Sequence, residues 1–225
     1  MKKISYFILF LIILSLLWFK TGNLFTGKLK LLVSDKSLVV HSNSDVYAHL
    51  KVQGTNIDYP LAQHPSDDAY YLSHDVNHAE TIYGAIFTEK VNKKDFKDLV
   101  TIIYGHSTLD GSMFGSLEWF EDVSFFNKNK EIEVTIKNEK IRYEIFSSYS
   151  FSSDHLFHTY GLGEKSSVLD YFKKIKQFSK DLKGNYRDVD FNTSDRLLIL
   201  STCDTKDNGR RFVVHAKEKR RSSVN

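Results

Sequence analysis

The sequence predicts a mainly β fold, a closed or nearly closed barrel with helices appended to it. Three observations carry that expectation. Short runs of alternating or β-branched apolar residues recur from Val52 to the C-terminal region. Only residues 166–183 give a strong late switch to helical spacing. The chain has 225 residues, 41% hydrophobic and 26% charged, which suits one well-filled core rather than a disordered or multi-domain chain.

The N-terminus departs from this pattern. Met1-Lys2-Lys3 precedes an uncharged apolar run, residues 4–19, which ends at Lys20. Those 16 residues would rise about 24 Å as a helix, short of a hydrocarbon core of about 30 Å. Adding Thr21 to Phe25 and letting Lys20 snorkel allows a thin span. The run is longer than a typical signal-peptide apolar region and has no A-x-A-like cleavage site after it. The expectation is therefore a cytoplasmic stub and transmembrane signal anchor over 1–25 and a helical spacer over 26–50. The main domain, 51–225, would lie outside a single-pass cell-membrane protein.

Strands then follow in order. VQGTNIDYPLAQ (52–63) has a Gly-Thr-Asn turn, an alternating stretch and Pro60, which belongs at an edge or bulge. TIYGAIFTE (81–89) and LVTIIYGH (99–106) read as two more strands. In residues 131–151, Ile132, Val134 and Ile136 alternate with polar partners before a turn at Asn138-Glu139, which makes a hairpin. Val168, Leu169, Tyr171, Phe172, Ile175 and Phe178 form one apolar face of the late helix, with Ser166 or Ser167 as its cap. RLLILSTC (196–203) and RRFVVHAK (210–217) are the last two strands, and the basic tail 217–225 reads as a surface end.

Composition removes several function classes. A formal charge of +3 with no basic stripe argues against nucleic acid. A single cysteine excludes an internal disulfide, and no period of repeats points to a solenoid or propeller.

That cysteine, Cys203, ends an apolar run and is followed across a short loop by Arg210 and Arg211. A lone cysteine is most simply a small buried hydrophobe. A nucleophile would need a nearby base or cation, because only the thiolate attacks. An arginine opening the next antiparallel strand could favour the thiolate or hold a developing oxyanion. Among nine histidines, His106 ends an apolar strand and begins a glycine- and serine-containing loop, where catalytic groups tend to sit. His74 and His78 have i, i+4 spacing suited to a metal but lack a third ligand at defined spacing, and His155 and His158 could line a groove.

These residues resemble the class B sortases, membrane-anchored cysteine transpeptidases of Gram-positive bacteria. The family signature T-L-x-T-C is matched by Ile199-Leu200-Ser201-Thr202-Cys203, with Ile199 in place of the first threonine. Tyr104-Gly105-His106 before Met113-Phe114 matches the histidine segment, and Arg211 before an apolar run matches the arginine. IDYPLAQ (57–63), DDAYYL (67–72) and GAIF (84–87) extend the likeness over roughly residues 45–217. The late helix before the cysteine strand points to class B rather than class A.

The resemblance implies an eight-stranded barrel with N-terminal helices, no cofactor and no metal. It also implies roles. Cys203 would attack the carbonyl of a C-terminal sorting motif, NPQTN-like or PPKTG-like, on a secreted protein. His106 would serve as general acid and base, and Arg211 would steady the oxyanion. A peptidoglycan-precursor amine would accept the acyl group. Asp68, Leu72, Tyr160, Ser201 and Thr202 would contact the peptide, with Asp68 standing where relatives have asparagine. A pilin-polymerising enzyme, a hydrolytic cell-wall cysteine peptidase and a non-catalytic membrane-tethered binding module are the alternatives. The peptidase is disfavoured because papain-like chains place cysteine before histidine.

Overall fold

The computed structural model describes residues 43–203 and 209–223. Within them nine strands run β1 (Val46–Val52), β2 (Asp58–Ala62), β3 (Ile86–Phe87), β4 (Val100–Tyr104), β5 (Glu131–Ile136), β6 (Glu139–Ser152), β7 (Asn185–Tyr186), β8 (Leu197–Cys203) and β9 (Arg210–Ser223). Their order is β5-β1-β2-β3-β4-β8-β9-β6, and a β5–β6 pairing closes the ring. Eight strands thus make a barrel without an open edge, and the short β7 is added outside against β6. All pairings are antiparallel except β2–β3 and β4–β8.

Among the described residues three α-helices accompany the barrel: α1 (Val123–Lys128), α2 (Leu156–Tyr160) and α3 (Lys165–Asp181). The long α3 buries Val168, Tyr171, Ile175 and Ser179, a spacing of three and four that forms one stripe. Its N-cap is Glu164, whose side chain makes no capping hydrogen bond, so neither Ser166 nor Ser167 caps it. Instead Ser179 extends the buried face by donating to the Ile175 carbonyl at 2.8 Å and meeting the Ser147 hydroxyl at 2.8 Å.

The core has two layers, which explains why the LLIL run of β8 is apolar without alternation. Leu198 and Leu200 point into the barrel with Leu50, Ile103, Phe114 and Phe212. Leu197 and Ile199 point outward to a second cluster with Ile102, Phe146, Tyr171 and Ile175, under α3. A strand covered on both faces loses its polar face, and here α3 is the cover.

The expected hairpin is present, but its two-residue turn is Lys137–Asn138, since Ile136 pairs with Glu139. Residues 81–89 yield only the two-residue β3. Gly84 breaks the run at φ +59°, and Ile82 and Tyr83 are exposed at 87% and 43%, so their apolarity belongs to a rim and not to a core. The basic tail is no loose end. Strand β9 continues to Ser223 against β6, and Arg221 donates to Glu139 and to the Asp95 and Phe96 carbonyls.

The expectation of a single-pass membrane protein is corrected: among the described residues no helix is long and apolar enough to cross a membrane. Residues 1–25, on which the anchor was read, and the expected N-terminal helices lie outside the described residues. Strand β1 begins at Val46, inside the stretch read as a spacer.

Candidate active site

The parallel pair β4–β8 sets the site. Tyr104 stands level with Ser201, and the Gly105 N–H donates to the Ser201 carbonyl at 3.3 Å. Two residues further along each chain, His106 and Cys203 leave the barrel at the same end. On the other side of β8, antiparallel register puts Cys203 opposite Arg211. The backbone thus brings the three residues singled out from the sequence to one barrel end, Cys203 and Arg211 on neighbouring β8 and β9 and His106 two residues past β4.

A cleft of about 360 Å³ opens there, lined by Asp68, Leu72, His106, Ser201 and Arg211 among others. The two arginines differ sharply. Arg210 is spent on β6, its Nε donating to the Ser150 hydroxyl at 2.8 Å and its Nη2 to the Ser150 carbonyl at 2.7 Å. Arg211 faces the cleft and, among the described residues, has one long hydrogen bond, 3.4 Å to the Ser153 carbonyl. A guanidinium aimed into the cleft can serve a developing negative charge there; Arg210 is instead directed to Ser150 on β6.

His106 is half-buried and sits on two backbone ties: its own carbonyl accepts from the Phe114 N–H at 2.9 Å, and its Nε2 lies 2.6 Å from the Leu72 carbonyl. Leu72, 45% exposed, ends a short 3-10 turn, Tyr70–Leu72, that forms one wall of the cleft. Asp68 lies on the same wall, its carboxylate accepting from the Lys90 N–H at 2.7 Å.

Ser201 and Thr202 are each 1% exposed, and among the described residues both hydroxyls lack a hydrogen-bond partner. An unpaired buried hydroxyl costs free energy unless something satisfies it. Ser201 lines the cleft and is so placed to gain a partner from whatever fills it; Thr202 is not among the lining residues. Tyr160 does not join the site either. Its ring packs on Tyr171 at 4.8 Å and near Phe151 and Phe178, under the helical layer.

The far wall was not assigned from the sequence, apart from the suggestion that His155 lines a groove. Glu89 accepts from His155 Nε2 at 2.9 Å and from the Tyr104 hydroxyl at 3.4 Å. Burial pushes the Tyr104 phenol up, the charge of Glu89 adds to this, and Arg211 opposes it. Glu89 lies two residues after β3 and Tyr104 ends β4, so proximity to strand ends was the available signal. His74 and His78 both meet Tyr70. His74 stacks on Tyr70 at 4.0 Å and His78 Nδ1 meets the Tyr70 hydroxyl at 3.1 Å.

Comparison with known proteins identifies the family and the fold. Residues 50–219 match the sortase domain family. The chain is 34% identical to sortase B of Listeria monocytogenes over 164 residues, 73% of this chain and 65% of that protein, so it spans just under two thirds of that relative's length. Among solved structures, a mutant form of Clostridium perfringens sortase B superposes with a TM-score of 0.71 at 32% identity, covering 79% of this chain and 83% of that one. A Streptococcus pyogenes class B sortase involved in pilus biogenesis gives a TM-score of 0.71 at 30% identity, covering 83% and 98%.

Proposed function

The chain belongs to the sortase family, with class B relatives, and we propose that it is a cysteine transpeptidase acting on sorting motifs of secreted proteins. The observation that supports this reading is the strand register: Cys203 pairs with Arg211, and Tyr104, two residues before His106, pairs with Ser201, at the end of the barrel where a cleft lined by His106, Ser201 and Arg211 opens.

The chemistry divides into two acyl transfers. The Cys203 thiolate adds to the carbonyl carbon of the motif's threonine, and the negative charge that develops on the carbonyl oxygen faces the Arg211 guanidinium. The C–N bond breaks as His106 gives a proton to the leaving amine, and a thioester remains on Cys203. An incoming amine then loses a proton to His106 and adds to the thioester. The thiolate leaves, and a new amide joins the two molecules. Asp68, Leu72 and Ser201 hold the peptide in register with the thiol.

A cell-wall precursor is the acceptor we favour. The second reading is a protein amine, as in pilus assembly, and the Streptococcus pyogenes neighbour supports keeping it. Fluorogenic NPQTN-like and PPKTG-like peptides test the proposal. The full chain should cleave one of them, added amine should give a joined product, and Cys203→Ala, His106→Ala and Arg211→Ala should each abolish cleavage. A glycine-type amine and a lysine-bearing protein, offered in competition, separate the two acceptors. No cleavage of either peptide, or cleavage retained by Cys203→Ala, would overturn it.

A further inference from the structure

A histidine that moves protons needs one ring nitrogen free, and its neighbours decide which one. A backbone carbonyl accepts hydrogen bonds and cannot donate them. The Nε2 of His106 lies 2.6 Å from the carbonyl oxygen of Leu72, so in the neutral ring Nε2 carries the hydrogen and Nδ1 has the lone pair.

The carbonyl is itself held tightly. Tyr71, 1% exposed, anchors the preceding peptide, its hydroxyl donating to Asp45 Oδ2 at 2.9 Å and accepting from Asn43 at 2.9 Å. On either side of the Leu72 carbonyl, the Tyr71 oxygen accepts from the Ala85 N–H at 2.9 Å and the Ser73 oxygen from the Thr81 N–H at 2.8 Å. The excursion 73–84 is therefore closed at its base, and Gly84 is where it presses on the histidine. Gly84 has φ +59°, and a Cβ there would stand 2.4 Å from the Tyr71 oxygen and 3.1 Å from both the Leu72 oxygen and His106 Cδ2. Only glycine fits that conformation and that approach.

We propose that the Leu72 carbonyl, kept in place by Gly84, is the positioning group for His106, fixing the Nε2–H tautomer so that Nδ1 takes and returns the proton. A neutral carbonyl thereby fills the place that a carboxylate takes in a Ser-His-Asp triad. One turn presents the Leu72 side chain to the peptide and the Leu72 carbonyl to the base, so substrate wall and proton carrier move as a unit. The catalytic consequence rests on the acid–base role proposed above for His106; the placement of the hydrogen rests on the contact alone.

The test uses the full chain labelled with 15N-histidine, with His106 assigned by its loss in His106→Gln. Two-bond proton–nitrogen spectra of the neutral ring should show Nε2–H. Gly84→Ala should mix the tautomers and lower kcat about tenfold or more, with KM for the sorting peptide changed less than about threefold. Should Gly84→Ala fail to fold, replacing Ser73 by its α-hydroxy analogue turns the Leu72 carbonyl into an ester, a weaker acceptor, and the same kcat loss is expected. An Nδ1–H tautomer in the wild type, or wild-type kcat in the ester variant, would overturn the proposal. A chain that shows Nε2–H yet cleaves no peptide would overturn the proposed function while supporting the assigned hydrogen.

Discussion

Ser201 and His215 are two buried polar residues with opposite consequences. The Ser201 hydroxyl is orphaned until the cleft is filled, so removing it should leave the free protein as stable or more stable by about 1 kcal/mol while weakening peptide binding. Thermal melts and a peptide titration of Ser201→Ala check this: Tm unchanged or higher, KM raised several-fold. His215 is fully buried beside Tyr149 and takes the Tyr171 hydroxyl at 3.0 Å, and burial pushes its pKa down from 6.5 to about 3. The unfolded chain therefore binds a proton there that the folded chain refuses. Stability from this group is fully present above pH 6.5 and is lost as pH falls towards about 3. Between pH 6.5 and about pH 4.5 the loss should be roughly 2 kcal/mol, and unfolding curves of His215→Leu should lack that component.

Among the elements, β9 and α3 do the most to hold the site in place. Strand β9 begins at Arg211's wall of the cleft and runs on to Ser223 along β6, with Arg221 closing its far end on Glu139 and two carbonyls. Arg221→Ala should lower stability by about 2 kcal/mol, measurable by denaturant unfolding, because it leaves the Asp95 and Phe96 carbonyls without their donor. In α3, Ile175→Ala should cost about 3 kcal/mol by opening a cavity against Phe146 and Tyr171, with kcat little changed in the protein that folds. The strands, the helix face and the hairpin were legible because each follows a hydrophobic period. The tail was not, since KEKRRSS shows charge without alternation and its order comes from β6 on one side. Nor was the shortening of β3, where exposed Ile82 and Tyr83 imitate a strand.

At the scale of the whole molecule, the β5–β6 pairing closes the eight barrel strands, so the proposed peptide cleft lies at their ends and not along a barrel edge. That is where β4, β8 and β9 deliver a histidine, a cysteine and an arginine. Those three could be found in the sequence because strand ends are marked by where apolar runs stop. The distinction between Arg210 and Arg211 could be read only through the family likeness, and it becomes physical once Ser150 is seen to occupy Arg210. Tyr160 was placed in the cleft because its aromatic loop precedes α3; packing on Tyr171 draws it under the helix instead. Glu89 offered only its nearness to a strand end as a signal, and the Leu72 carbonyl, being backbone, offered none.

Intact mass measurement of the full chain mixed with a sorting peptide, before and after adding an amine, tests the central claim most directly. The account predicts an adduct equal to the peptide's acyl portion, mapped to Cys203, absent in Cys203→Ala and discharged by the amine into a joined product. An unmodified chain beside intact peptide, or an acyl group carried on another residue, would contradict it.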